Sequence, residues 1–435
     1  MSLSRDANGT LILGGTSGTS GLPLHVIARE AGTPTYAYDL DGVTASAQAM
    51  RAAFDGAPHL IAYAVKANTA GAVVAALAGV GCGADIVSGA ELQVALACGV
   101  APEHIVYSGV AKTDDELDQA LACGDRGIGA VQVESLEEIA RVEARARAAG
   151  RPARVGVRIN PSVDQSEATH AHIATGHDEA KFGVPRPDVA RAVELVEGSQ
   201  HLQLVGMTAH AGSQFVELAP YLDASRALFT LVRDLRASGR CRTLAFVDSG
   251  GGFGVDYGDG RAVPPAADFI RAARQEQRAF GLGDLALHIE PGRALVAAHG
   301  VLIARVIQVK VASAARWLMI DAGMNDLVRP ALYQARHRVV PVDRDVPSDA
   351  IPWRVVGPVC ESSDDFGEHL LPRQAPELVA LLDTGAYGYT MASRYNGRQA
   401  PAEVFVRGGR IAGNVARGDV GDWVRERVAA GRGGA

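Results

Sequence analysis

The chain has 435 residues, 48% of them apolar, which is more than one ordinary domain needs and enough for two substantial cores. Its formal net charge is −7 with acidic and basic residues interspersed, so no basic patch points to nucleic acid or to an anionic membrane, and small-molecule partners are expected. Its five cysteines, Cys82, Cys98, Cys123, Cys241 and Cys360, are odd in number, widely spaced and lack C-x-x-C pairs, which argues against a disulfide framework and structural zinc and fits a reducing cytoplasm.

The chain opens on polar residues without the apolar core of a signal peptide. A strand-like piece, Thr35-Tyr36-Ala37-Tyr38, precedes an amphipathic helix over 41–54. A rhythm then sets in, with apolar, β-branched runs of strand length at 60–65, 84–87, 105–107, 130–133, 155–159, 202–208, 244–247 and 285–289. The longest apolar run, 69–84, is Gly-rich and shorter than the roughly 18 residues of a membrane span. Most strands are followed by a helix signature. Ser135-Leu136-Glu137-Glu138 reads as a capping box opening a helix that stops at Gly150, and a second helix over 188–197 ends at Gly198. Longer helical patterns over 220–238 and 266–280 close on Gly239 and Gly281. Eight such units predict a (β/α)8 barrel. A doubly wound sheet is the rival, but its phosphate-binding signature after the first strand is missing.

Beyond about 298 the pattern changes to alternating strands at 301–311, 316–320, 354–356 and 378–382, which predicts an all-β C-terminal domain, a β-sandwich or β-barrel. A short helix near 420–428 precedes a Gly-rich tail expected to be disordered. The expected domains are a barrel over 38–298 and a β domain over 299–435, joined by the N-terminal segment 1–37.

Active sites of such barrels lie at the C-terminal ends of the strands. There the sequence places Lys66, Asp85, His210-Ala211-Gly212-Ser213-Gln214, Asp248-Ser249-Gly250-Gly251-Gly252-Phe253-Gly254 and Glu290-Pro291-Gly292-Arg293. A lysine emerging from a buried strand is expected to be desolvated, which favours a nucleophilic, imine-forming amine; the plainer reading is a lysine that reaches solvent. Consecutive glycines let backbone N–H groups approach an anion, unless the loop is a mere flexible turn. Together these are parts that hold pyridoxal phosphate: Lys66 for the imine, the glycines and Ser213 for the phosphate, His210 over the ring, and Glu290 on the pyridine nitrogen. A hydrogen-bonded core histidine is the other reading of His210.

At these residues the chain resembles the fold-type III pyridoxal-phosphate decarboxylases, whose barrel is alanine racemase-like, and among them the diaminopimelate decarboxylase family. The matching pieces are Tyr63-Ala64-Val65-Lys66-Ala67-Asn68, the loop 250–254, Glu290-Pro291-Gly292-Arg293, Arg329-Pro330-Ala331-Leu332-Tyr333, Cys360-Glu361-Ser362, and Ala386-Tyr387-Gly388 through Tyr395-Asn396. The resemblance implies decarboxylation of meso-2,6-diaminopimelate to L-lysine and a homodimer whose sites are each completed by Cys360 and Glu361 of the other subunit. By the same resemblance Asp85, Gly251, Gly252, Gly292, Arg293 and Tyr387 join the cofactor set, Arg293, Arg329, Tyr333, Glu361 and Tyr387 grip substrate, and Cys360 delivers a proton. Taken alone, Arg293 and Arg329 read equally as surface ion pairs and Cys360 as an inert thiol.

The sequence departs from the family pattern at Ser363, Ala211 and Gln399, all beside the expected site. The rival reading is therefore a decarboxylase of another amino acid, such as D-ornithine or D-lysine, or of a biosynthetic intermediate in a specialised pathway. The long connection 161–185, with His170, His172 and His177, is expected to act as a lid, and no metal site is expected.

Overall fold

The computed structural model describes residues 2–15, 21–161, 181–313 and 315–429. Most of the expected lid, with its three histidines, and the C-terminal tail lie outside the described residues. The chain divides into two compact units, one of Thr44–Asp256 with Arg261–Leu295 and one of Met1–Val43, Tyr257–Gly260 and Val296–Ala435.

The first unit is a closed barrel of eight parallel strands, His59–Ala64, Gly83–Ile86, Ile105–Tyr107, Ala130–Val133, Ala153–Ile159, Leu202–Ala209, Phe246–Asp248 and Ala286–Ile289, in sequential order around the ring. The last pairs with the first through Leu287↔His59 to Ile289↔Ile61, which leaves no edge within the ring. Leu60, Ala62, Val106, Ala130, Val205 and Phe246 form a buried apolar cluster of this unit. The run at 69–84 resolves into the helix Gly71–Gly79, which buries Val73, Val74, Ala76 and Leu77, and the strand Gly83–Ile86.

Helix starts follow the local sequence. Thr113 opens Asp114–Ala122 with a full capping box, its hydroxyl accepting the Glu116 N–H while the Glu116 carboxylate accepts the Thr113 N–H. At Ser135 only half of the expected box forms. The Ser135 hydroxyl accepts the Glu138 N–H at 3.1 Å, but the Glu138 carboxylate bonds the Glu134 N–H and the Lys112 ammonium, both at 2.8 Å. Lys112 is 2% exposed, and a buried ammonium without a counter-charge costs far more than a capping bond contributes, so it captures the carboxylate. The helix Leu218–Ala237 buries one stripe, Tyr221, Ala224, Ser225, Leu228, Phe229, Val232 and Leu235. Each of its large apolar side chains contributes about 2 kcal/mol of burial.

The second unit carries a nine-stranded mixed sheet. Its long strand Gly300–Val311 pairs with Thr35–Asp39, Arg316–Ile320 and Leu378–Leu381. Thr35–Asp39 lies between Gly300–Val311 and Ala402–Arg407 and is buried along its whole length, so this early strand belongs to the β unit and not to the barrel. Its neighbours Leu13, Leu24, Ile27, Val301, Ile303, Ala380 and Val404 make the core. Among the described residues no helix is long and apolar enough to cross a membrane.

Candidate active site

The barrel strands deliver polar side chains to one mouth. The first strand ends at Ala64, and Lys66 sits on a single 3-10 turn, Val65–Ala67, one step beyond the expected strand end. That turn is pinned by the Ala64 N–H, which donates to the Pro291 carbonyl at 3.1 Å. Lys66 Nζ lies 2.5 Å from Asp85 Oδ2, and Asp85 is fully buried. The Lys66 side chain is 39% exposed and ion-paired, so the amine is only partly withdrawn from water.

Glu290 follows the eighth strand and is 6% exposed, with the Ser108 hydroxyl donating to Oε1 at 3.4 Å. Burial, together with the charges of Asp248 and Asp85, pushes the Glu290 carboxyl well above the usual carboxylate range. Burial likewise, with Asp85, raises Asp248 to about 7. Two carboxyls this close in a buried mouth resist being ionised together. His210 Nδ1 accepts the Gly251 N–H at 3.1 Å and stands 4.0 Å from Glu290 Oε2. An acceptor nitrogen carries no proton, in keeping with burial and the charges of Arg158 and Lys66, which hold the imidazole neutral.

The glycine loop is built for close approach. A Cβ on Gly251 would stand 2.0 Å from the Glu290 carbonyl oxygen, and one on Gly252 2.2 Å from that of Gly212, where φ is also +89°. The loop is laced to 210–215 by Phe215 N–H to Gly252 O at 2.8 Å, Gly254 N–H to Phe215 O at 3.0 Å and the Gln214 side-chain amide to Val255 O at 2.7 Å. Arg293 donates to the Ser213 hydroxyl at 3.1 Å, and Gly292 leaves only 3.0 Å between an added Cβ and Ala67.

Sequence reasoning assigned no role to Arg158, Glu134 or Asp248. Arg158 Nη1 lies 3.0 Å from Glu134 Oε1, and Glu134 also accepts the N–H groups of Gly109 and Gly183 at 2.8 and 2.9 Å. The available signal was an arginine one residue from the end of an apolar strand. A charge there is retained only where it finds a partner.

The mouth fits pyridoxal phosphate. Asp85 Oδ1 is sealed from solvent and meets no donor among the described residues, and a neutral-leaning Glu290 ionises readily only against a cation such as a pyridinium N–H. Close packing of Gly251 and Gly252 against the Glu290 and Gly212 carbonyls fixes the glycine-rich backbone that would line a phosphate.

The remaining predicted residues lie in the β unit. Arg329 and Tyr333 occupy one face of the helix Arg329–Tyr333, and Arg329 is 5% exposed with its guanidinium 4.7 Å from the Tyr257 ring centre. Cys360 is exposed, and Glu361 Oε1 accepts the Tyr395 hydroxyl at 2.5 Å. A hollow of about 510 Å³ has Pro330, Ala331, Gln334, Ser362 and Ser363 among its lining residues. Tyr387 takes a left-handed φ of +56°, a costly conformation for a bulky residue and one that concentrates at functional sites.

The family model described as pyridoxal-dependent decarboxylase, pyridoxal binding domain, matches residues 40–297. The chain is 39% identical to the diaminopimelate decarboxylase of Zymomonas mobilis over 417 residues, covering 95% of this chain and 96% of that protein. It is 42% identical to that of Pseudomonas aeruginosa over 395 residues, covering 89% and 91%. The solved diaminopimelate decarboxylase of Helicobacter pylori complexed with L-lysine has a TM-score of 0.86 at 36% identity, covering 94% of this chain and 100% of that one. Since the match spans the barrel and its β unit together, at an identity too high for a shared fold alone, the chain belongs to the pyridoxal-dependent decarboxylases, in the diaminopimelate decarboxylase family.

Proposed function

We propose that this pyridoxal-phosphate enzyme removes carbon dioxide from meso-2,6-diaminopimelate to release L-lysine, the last step of lysine synthesis. The observation that carries the reading is the mouth where Lys66, Asp85, His210, Glu290 and the glycine cradle converge, in a chain about 40% identical to diaminopimelate decarboxylases. When bound, the cofactor supplies the electron sink for the bond that breaks.

The chain's own residues do the rest. Lys66 would hold the cofactor through its Nζ, and Asp85 fixes that nitrogen at the barrel mouth. Glu290 would pair as a carboxylate with the pyridine nitrogen, and His210, kept neutral, would cover the ring without competing for charge. The Gly252 N–H, with Ser213, Gly292 and Arg293, would take the phosphate end, while the Gly251 N–H holds His210 in place. Arg293, Arg329 and Tyr333 grip the distal carboxylate, since a guanidinium fork matches that group, and Glu361 takes the distal ammonium. Cys360 delivers a proton to the carbon that has lost its carboxylate.

The active species is a homodimer in which the partner's Cys360 and Glu361 complete each barrel site, so a monomer is inactive. Its five unpaired thiols fit the cytoplasm. The test is lysine and carbon dioxide release by purified protein from meso-diaminopimelate, with and without added pyridoxal phosphate, and with D-ornithine, D-lysine and L-lysine as competitors. Cofactor-dependent, selective lysine release is expected. Release only from another amino acid overturns the substrate and moves the error to the pocket around Arg329, Glu361 and Ser363. Light scattering with activity across a dilution series checks the dimer.

A further inference from the structure

The β unit contains a buried histidine that the proposed chemistry does not use. His337 is 1% exposed, and its Nδ1 lies 2.8 Å from the Leu382 carbonyl oxygen. A carbonyl only accepts, so Nδ1 carries the proton and, in the neutral ring, Nε2 is an acceptor. That nitrogen lies 2.8 Å from Arg329 Nη1. A guanidinium only donates, so the bond has one possible direction, and a doubly protonated His337 could not make it. The Tyr257 ring completes the arrangement, with the Arg329 guanidinium 4.7 Å from its centre and the His337 ring edge-on at 5.2 Å. These three side chains form a closed triangle in which each touches the other two.

The triangle is set by sheet register. Val339–Pro341 pairs antiparallel with Leu378–Leu381, and the ladder continues through the Leu382 N–H to the Arg338 carbonyl at 2.9 Å. This places His337 beside Leu382, so the imidazole is oriented by backbone on one side before it meets Arg329 on the other. A guanidinium stacked on one ring and bonded at one nitrogen has a defined plane, and its fork is aimed before a carboxylate arrives. Otherwise the ligand must order a long, rotamer-rich side chain as it binds.

We infer that His337 is a positioning residue for carboxylate recognition: accepting from Arg329 through Nε2, it orients the guanidinium that distinguishes amino acids with a distal carboxylate from those without. The inference rests on the proposed role of Arg329. It goes beyond that role by placing part of substrate selectivity in a residue that touches no substrate.

The test compares His337→Leu, which fills similar volume without an acceptor, with His337→Gln, which keeps one near the Nε2 position. On holoenzyme, the equilibrium affinities of L-lysine, which carries the distal carboxylate, and of cadaverine, its analogue without it, are measured by calorimetry beside steady-state turnover of meso-diaminopimelate. In His337→Leu, KM for diaminopimelate and the dissociation constant of L-lysine rise about tenfold, kcat falls by less than about threefold and cadaverine affinity is unchanged. His337→Gln regains most of the L-lysine affinity. Equal losses for both ligands, which a merely structural role predicts, overturn the inference, as does no loss or a wild type that binds L-lysine no better than cadaverine. If His337→Leu does not fold, His337→Met carries the same comparison. Wild-type inactivity on diaminopimelate overturns the functional reading instead, a result distinct from the binding ratio.

Discussion

The Asn396 side-chain oxygen accepts the Cys360 N–H at 2.8 Å, tying the exposed Cys-Glu-Ser turn to a residue 36 positions further along. Asn396 reaches it from a left-handed backbone, φ 55° and ψ 23°, a conformation asparagine tolerates better than most residues. Asp364 secures the other end by accepting the N–H groups of Val359 and Met324, each at 2.6 Å. The turn is thus anchored on both sides although its thiol is open to solvent.

Asn396→Ala removes the acceptor and puts a Cβ-bearing residue without a compensating side chain in the left-handed region. The expected outcome is a loss of about 1 kcal/mol in stability and about tenfold in kcat/KM. Asn396→Gly relieves the backbone cost and keeps the activity loss, as thermal melts beside decarboxylation assays would show. Equal activity in wild type and both variants would remove the anchor from the mechanism.

With Cys360 in its proposed role of proton donor, Cys360→Ala is expected to leave the cofactor bound and to slow turnover by at least about tenfold. Absorbance of bound cofactor and lysine release, measured on the same sample, separate the two effects. Full activity would exclude Cys360 as the donor.

Gly251→Ala introduces a Cβ 2.0 Å from the Glu290 carbonyl oxygen, so one of the two loops must move. Cofactor affinity should fall by about tenfold or more, with far-UV circular dichroism unchanged, since the distortion is confined to the cradle. Unaltered cofactor titration would mean the loop does not form the phosphate site.

Acid stability has a contributor at His288, whose ring stacks on Phe246 at 3.9 Å. Burial, and then the nearby charges of His104, His59 and Arg154, push its imidazole down to about 3. The unfolded chain binds this proton below about 6.5 while the folded protein does not until about 3, so the contribution is complete above 6.5 and declines as the pH falls between those values. At pH 5 the loss is at most about 2 kcal/mol, reduced because part of the residue reaches water. His288→Phe keeps the ring stack and should show a smaller drop in melting temperature from pH 7.5 to pH 5 than wild type. An identical drop would assign acid sensitivity elsewhere.

Chelation should leave activity unchanged. Among the described residues no group of three or more His, Cys, Asp or Glu side chains is arranged to hold a metal ion. Loss of activity with EDTA that zinc or manganese restores would redirect attention to His170 and His172.

Local pattern alone determined a great deal here. Eight strand-length apolar runs, the helix caps and the stop glycines mark the barrel because period and capping depend on residues within a few positions of one another. The polar residues at the strand ends, Lys66, Asp85, His210 and Glu290, were readable for the same reason. What the tertiary structure decided rests on partners far apart in sequence. Thr35–Asp39 reads as a strand but not as the neighbour of Gly300–Val311 and Ala402–Arg407. Glu138 reads as a capping residue until the buried Lys112 claims it. The Asp85 partner of Lys66 and the His337 partner of Arg329 have no local signature, since a buried charge or imidazole takes its state from whichever group folding places against it. Periodicity is written in the chain, whereas protonation and aim arise only when distant segments meet.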